Sequence, residues 1–119
     1  MHELAITEDI LTAALDAARR AGARAIRRLH LMLSSASHIE PETVRLHFAL
    51  ISRSTLAEGA ELVFTTRAVE QVCRHCGRVF TVTSDLTCPA CGAPALPGPA
   101  DHEMTLEDID VDVPAEPGK

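Results

Sequence analysis

The chain has 119 residues, of which 46% are apolar and only 3% aromatic, so its core must be mainly aliphatic. The net charge is −6, and scattered arginines with a single lysine, Lys119, argue against nucleic-acid binding, because phosphate contacts require clustered cations. No stretch resembles a signal peptide or a membrane span, so we expect a cytoplasmic protein whose cysteines stay reduced.

The first predicted element is a helix near the amino terminus. Thr7 followed by Glu8 and Asp9 predicts its start, because acidic residues complement the positive end of the helix dipole. Gly22 predicts its end. Apolar residues recur between these points at helical spacing, at Ile10, Leu11, Ala14, Leu15 and Ala18.

Three further elements are predicted in the first half of the chain. Residues 25–33 alternate between apolar and polar side chains, which indicates a β-strand with leucines on one face. Pro41 is typical of the first turn of a second helix. Residues 61–68 alternate again and predict another strand. The buried face of the second helix is expected at Val44, Phe48 and Ile51.

The most specific motif is a pair of C-x-x-C sequences, each followed by glycine. Four thiolates in two such pairs supply the tetrahedral ligand set of a structural zinc ion. Redox or disulfide chemistry is the alternative for these cysteines, but a reducing compartment favours metal binding. We expect a two-stranded hairpin to close the eleven-residue gap between the pairs. The predicted zinc ligands are Cys73, Cys76, Cys88 and Cys91.

The last predicted strand spans residues 104–113. Its apolar residues switch parity partway along, which predicts a β-bulge at Glu107 and Asp108. An isolated strand could not bury these residues, so we expect it in the same sheet as the strand at 61–69. The two parity groups are Met104 and Leu106, and then Ile109, Val111 and Val113.

Together these elements predict an α+β fold with two helices, a small sheet of about three strands and an inserted zinc-ribbon-like lobe. We expect residues 1–70 and 101–113 to form one discontinuous domain. The zinc lobe is expected at 71–100, and a disordered tail at 114–119.

The tripeptide Met1, His2 and Glu3 has a specific coordination chemistry. The bulky second residue should protect Met1 from removal, which leaves its α-amine free. This amine, the amide nitrogen of His2 and the His2 imidazole can close on one metal ion, and nitrogen donors confined to a plane suit Ni(II) or Cu(II). They fill only three corners of a square, so the fourth ligand must come from Glu3, another histidine or water.

The remaining histidines are weaker candidates. His47 lies at the spacing of a packed or half-buried helix residue, and His30 lies on the polar parity of its strand, where we expect it to be solvated. His75, inside the first cysteine pair, could tune the zinc site. His38 and His102 lie in polar surroundings and are the candidates for a remote nickel ligand.

Residues 1–7 (MHELAIT), the turn at 57–60 (AEGA) and the two C-x-x-C pairs, in this order, resemble the HypA/HybF family of nickel metallochaperones for [NiFe]-hydrogenase maturation. The resemblance implies nickel as transient cargo and zinc as a structural ion. The chain departs from the family at Ser34, where the family usually has glycine, which raises the question of how Ser34 and Ser35 turn. The implied ligands are Met1, His2 and Glu3 for nickel, and Cys73, Cys76, Cys88 and Cys91 for zinc.

The resemblance implies two protein partners, a nickel-handling GTPase (HypB) and the hydrogenase large-subunit precursor. An exposed sheet edge would also allow homodimerisation. No nucleophile–base motif or phosphate-binding loop indicates catalysis, so we expect a protein that is not an enzyme. Two alternatives remain at this point: a zinc-ribbon adaptor that acts only through protein interaction, and a nucleic-acid-binding zinc ribbon.

Overall fold

The computed structural model describes residues 2–95 and 103–114, and describes His2 through its backbone alone. Two helices and five strands follow one another along this part of the chain. They are α1 (His2–Arg20), β1 (Ala25–Ser34), α2 (Pro41–Ile51), β2 (Glu61–Arg67), β3 (Glu70–Val72), β4 (Val79–Thr81) and β5 (Met104–Asp112).

Three of the strands form a mixed sheet in the order β2-β1-β5. The central strand β1 pairs in parallel with β2 and antiparallel with β5. β3 and β4 form a separate two-stranded antiparallel sheet, which lies between β2 and β5 in the sequence. The predicted α+β fold with a three-stranded sheet is therefore confirmed, and β5 belongs to the same sheet as β2.

Helix α1 starts earlier than the sequence predicted, at His2 rather than at Thr7. Thr7 is completely buried, and its hydroxyl donates a 2.6 Å hydrogen bond to the carbonyl of Glu3, one turn back. A threonine that bonds the preceding turn sits inside a helix and does not cap it. No helix among residues 2–95 and 103–114 is long and apolar enough to cross a membrane.

The helix ends where Gly22 predicted. Gly22 adopts the left-handed φ of +70° that glycine accepts without strain. The amide of Ala23 then donates to the carbonyl of Ala18 at 2.9 Å, which satisfies a carbonyl of the last helical turn. The chain can therefore reverse into β1 within a few residues.

Both helices cover one face of the three-stranded sheet. The leucines of β1 alternate towards this face, as their spacing predicted, and α2 adds its buried side chains over β2. Pro41 begins α2, also as predicted. The buried core consists of Ile10, Leu11, Ala14, Ala18, Ile26, Leu29, Leu31, Leu33, Ile39, Val44, Phe48, Ala57, Leu62 and Met104.

β5 contains the bulge that its parity switch predicted. His30 pairs with Asp108 and Leu31 pairs with Leu106, so Glu107 is the extra residue on β5. Leu106 and residues beyond the bulge can therefore all pack against the core. A second irregularity, which no sequence pattern predicted, leaves Arg27 as the extra residue on β1.

The turn at Ser34 and Ser35, the departure from the family pattern, is formed without left-handed backbone at either serine. The Ser34 hydroxyl accepts the amide of Ala36 at 3.1 Å. The Ser35 hydroxyl accepts the amide of Val69 at 2.9 Å, which ties this turn to the segment leading into β3. Hydroxyl acceptors thus stabilise a turn that glycine would allow by its freedom of φ.

Candidate metal centre

The two cysteine pairs lie on two turns of the same design. Gly77 donates its amide to the carbonyl of Cys73 at 2.8 Å, and Gly92 donates to Cys88 at 2.7 Å. Gly77 has a φ of +79° and Gly92 a φ of +78°. Glycine therefore occupies the two positions where the backbone is left-handed. Each turn returns the second cysteine of its pair towards the first.

The strands around these turns differ from the predicted arrangement. β3 and β4 flank the first cysteine pair, so the eleven-residue gap contains only β4 and not a complete hairpin. The second pair is closed by an isolated bridge between Thr87 and Pro94. The sequence prediction placed the hairpin between the two cysteine pairs. In the structure β3 and β4 pair instead across the turn of the first cysteine pair, because a short turn lets adjacent strands pair antiparallel.

The four sulfur atoms lie together, each within 4.8 Å of the others. The Sγ atoms of Cys73 and Cys91 are 3.6 Å apart, and those of Cys76 and Cys88 are 3.7 Å apart. A tetrahedral zinc ion with Zn–S bonds of about 2.3 Å separates its sulfurs by roughly 3.8 Å. The four thiols therefore fit a zinc ion in spacing and in donor type.

Polarity around the thiols favours the thiolate that a metal requires. The amides of Cys76 and His75 point at the sulfur of Cys73, each at 3.4 Å. These hydrogen bonds, the Cys76 amide first, lower the pKa of Cys73 to about 6 in spite of burial. At Cys91 the Ala93 amide acts in the lowering direction, but burial and the neighbouring thiols raise its pKa to about 12. The surroundings therefore move the pKa values of Cys73 and Cys91 in opposite directions.

Two of the three predicted nickel ligands, His2 and Glu3, lie in the first turn of α1. Met1 lies outside the described residues, and His2 contributes the first helical position through its backbone. Glu3 lies in the first turn and is half-buried.

Of the other histidines, His47 is half-buried on α2, as its spacing predicted. Its Nδ1 is buried and has no hydrogen-bond partner within the described ranges. His38 and His75 are exposed, and the His38 amide donates to the carboxylate of Glu103 at 3.3 Å. His102 lies outside the described residues.

The structure bears out only part of the prediction for His30, which keeps some exposure to solvent but also contacts two aspartates. Its Nε2 lies 2.9 Å from Asp110 Oδ2 and 3.7 Å from Asp108 Oδ1, and its side chain is only 35% exposed. The alternation of β1 put His30 on the polar face correctly, but it said nothing about the facing strand. The acids that alternate with Ile109 along β5 were the available signal.

A protein-family model described as HypA, "Hydrogenase/urease nickel incorporation, metallochaperone", matches residues 1–111. Hydrogenase maturation factor HypA of Acidithiobacillus ferrooxidans is 32% identical over 113 residues, which cover 94% of this chain and 100% of that protein. The factor of the same name from Dehalococcoides mccartyi is 35% identical over 113 residues, with coverage of 94% and 95%.

Solved structures share the fold. The solution structure of the Ni metallochaperone HypA from Helicobacter pylori matches with a TM-score of 0.64 at 17% identity, over 94% of this chain and 98% of that one. A second solution structure, of a HypA protein, gives 0.62 at 20% identity over 93% and 96%. With the family model spanning nearly the whole chain, the chain belongs to the HypA family of hydrogenase/urease nickel-incorporation metallochaperones.

Proposed function

We propose that this chain binds one Ni(II) ion at its amino terminus and delivers it during [NiFe]-hydrogenase maturation. The ligands are the α-amine of Met1, the amide nitrogen and imidazole of His2, and the carboxylate of Glu3. The observation that carries the proposal is the match of residues 1–111 to a nickel-incorporation family, in a chain that starts with this nitrogen-rich tripeptide.

The helical start supports the use of the His2 amide nitrogen. The first four N–H groups of a helix have no acceptor one turn earlier, so a metal can take this nitrogen without breaking a helix bond. α1 begins at His2, and its later turns are held in the core by Ile10, Leu11 and Ala14. His2 and Glu3 thus lie at the end of a helix whose later turns are packed in the core.

The same ligand set suits release of the ion. The amine, the amide and the imidazole fill three corners of a square plane, and a carboxylate is a weaker fourth ligand for Ni(II) than a nitrogen. A partner that offers thiolates could displace Glu3 first and then take the ion. We propose that HypB, a nickel-handling GTPase, and the hydrogenase large-subunit precursor are these partners, and that transfer takes place in the cytoplasm.

We further propose that Cys73, Cys76, Cys88 and Cys91 hold a structural zinc ion. Zinc would cross-link the two cysteine turns and supply folding free energy to a lobe whose own core is small. Among the described residues, the core of this lobe has four buried side chains, and two of them are the cysteines Cys73 and Cys88. With all four positions occupied by protein thiolates, the ion offers no open site for catalysis.

Nickel transfer to the apo large-subunit precursor from the same source tests the delivery function. The zinc-loaded chain with its native amino terminus is charged with nickel and mixed with the precursor, and nickel in the separated precursor is measured. We expect transfer from the native chain and loss of transfer from His2→Ala, which lacks the imidazole.

Glu8→Gln is the matched control, because it removes an exposed carboxylate from the same helix outside the ligand set. It should transfer nickel as the native chain does. Equal transfer from His2→Ala and the native chain would refute the amino-terminal site. A native chain that carries zinc and no nickel would leave the adaptor role as the better account.

A further inference from the structure

We propose that the open face of the three-stranded sheet carries a second, weaker site for a divalent first-row transition-metal ion, formed by His30, Asp108 and Asp110. The site is independent of the amino-terminal tripeptide and of the four cysteines. It lies on the face of β1 and β5 that neither helix covers.

Strand register brings the three donors together. His30 pairs with Asp108 across the β1–β5 ladder, and Arg28 pairs with Asp110. Side chains two residues apart on a strand share a face, so Asp108 and Asp110 both lie on the face of His30. The bulge at Glu107 sets this register while leaving Leu106 packed against the core.

The donor spacing matches a coordinated ion. The His30 nitrogen lies 2.9 Å from Asp110 Oδ2 and 3.7 Å from Asp108 Oδ1, and the three donor atoms all lie within 4.8 Å of one another. Metal–ligand bonds of about 2.1 Å separate neighbouring octahedral donors by roughly 3.0 Å and opposite donors by roughly 4.2 Å. The 2.9 Å separation is close to that of neighbouring donors, and the 3.7 Å separation lies between the two values.

The donor types indicate the class of ion. One imidazole nitrogen and two carboxylate oxygens suit Ni(II), Zn(II), Co(II) or Mn(II), whereas magnesium and calcium prefer oxygen ligands alone. Asp108 is 72% exposed, so water can complete the coordination shell. When the ion binds the protonated ring, it takes the place of the Nε2 proton, which passes to solvent and leaves a neutral imidazole with its proton on Nδ1.

The charges around the donors sum to a negative value even with Arg28 beside Asp110. Arg28 donates to Asp110 Oδ2 at 3.1 Å and to Glu61 Oε1 at 3.2 Å, so it holds the Asp110 carboxylate in place. Three carboxylates face this one guanidinium and a neutral imidazole. The cluster of Asp108, Asp110, Glu61, Arg28 and His30 therefore carries two excess negative charges.

An ion pair of His30 with both aspartates is the simpler explanation for these contacts, because Asp108 also lies within ion-pair distance of His30. The 3.7 Å separation of Asp108 from His30 is too long for a hydrogen bond. A metal ion bound between the donors would use all three side chains. The two explanations differ in what Asp108→Asn does.

Calorimetric nickel titration of zinc-loaded protein tests the site in a His2→Ala background. Three variants are added singly: His30→Gln, Asp108→Asn and, as the control, Glu107→Gln. The control removes an equal charge next to Asp108, from the exposed bulge residue. We expect one residual weak site in His2→Ala, weakened at least about tenfold by His30→Gln and by Asp108→Asn and within about twofold of unchanged in Glu107→Gln.

Three results would overturn the proposal: no residual nickel binding in His2→Ala, residual binding that Asp108→Asn leaves unchanged, or equal losses in Asp108→Asn and Glu107→Gln, which would indicate surface charge alone. Failure of the amino-terminal proposal gives a different pattern. His2→Ala would then bind as much nickel as the native chain, while the comparison of Asp108→Asn with Glu107→Gln still reports on the sheet site.

Discussion

His30 and Asp110 form a hydrogen-bonded pair whose two pKa values move apart. The bond to Asp110 raises the pKa of His30, with burial partly opposing it, and the pKa of Asp110 is lowered by His30 first and then by Arg28. A raised histidine pKa stabilises the fold below about pH 6.5, and this contribution is lost as the pH rises through the folded-state value. The lowered aspartate pKa acts above about pH 3.9 and is lost on acidification.

The pair should therefore stabilise the protein most in mildly acidic solution. In nickel-free buffer, we expect His30→Gln to lower the melting temperature more at pH 5.5 than at pH 8.5, because the imidazolium–carboxylate attraction is present only in the first condition. Differential scanning calorimetry measures this, with the exposed His38→Gln as control. A deficit of the same size at both pH values would show that the pair contributes no charge-dependent stability.

Single residues were predictable from the sequence where their role is local. The glycines after each cysteine pair and Gly22 were identified because a tight turn requires left-handed backbone. Thr7 was misread because a threonine that bonds its own helix has the same sequence signature as a cap. The aspartate contacts of His30 were missed because its partner Asp110 is 80 residues away, and strand periodicity carries no information about register between strands.

At the scale of elements, the cysteine lobe has too small a core to fold alone. Its buried cluster contains Phe80 and Val82 besides two cysteines, with partly buried Ala36 and Val69 packed against it. The three-stranded sheet has a separate core of its own. A zinc ion contributes roughly 10–16 kcal/mol to small lobes of this kind at neutral pH.

Zinc removal should therefore unfold the lobe and leave the sheet and helices folded. We expect amide protection across residues 71–95 to fall to that of an unfolded chain in the chelator-treated protein, while β1 keeps its protection. Hydrogen exchange read by NMR or mass spectrometry measures both regions in one sample. Protection that persists across the cysteine turns, or a Cys73→Ser variant that keeps its zinc, would contradict the prediction.

Strand β5 should be necessary for the whole sheet. It lies along the length of β1, and it buries Met104 and packs Leu106, Ile109 and Val111 against the core. A chain truncated after Gly98 lacks these side chains, which exposes the core residues they cover and one edge of β1, so we expect it to lose cooperative thermal unfolding. A chain truncated after Pro114 keeps all of β5 and is the control. An unchanged melting temperature in the shorter chain would refute this role.

Of the two bulges in the sheet, the apolar pattern of the sequence predicted one and missed the other. Glu107 was identified because apolar residues on both sides of it reveal the change of parity. The irregularity at Arg27 was not, because Arg27 and Arg28 are both exposed and a slip between two exposed arginines changes no burial. Likewise, the hairpin of β3 and β4 was misplaced because three-residue strands carry too little alternation to fix their pairing.

In the whole molecule, the proposed nickel and zinc sites lie in two different parts of the chain. Two of the proposed nickel ligands, His2 and Glu3, start α1, and the cysteine lobe lies between β2 and β5 in the sequence. Ser35 and Ala36, in the loop between β1 and α2, contact the lobe through the amide of Val69 and the lobe's small core. Zinc would then fix a lobe next to the sheet, while nickel is bound and released at the amino terminus.

The central claim is that a free α-amine and His2 together hold the nickel ion. Calorimetric nickel titration of two zinc-loaded proteins tests it most directly: the chain with its native amino terminus, and the same chain with one glycine added before Met1. The added residue converts the amine into an amide and leaves every side chain in place. We predict one tight nickel site in the native chain and its loss in the extended chain. Equally tight binding by both would show that the amine is not a ligand and that the amino-terminal site is wrong in its central detail.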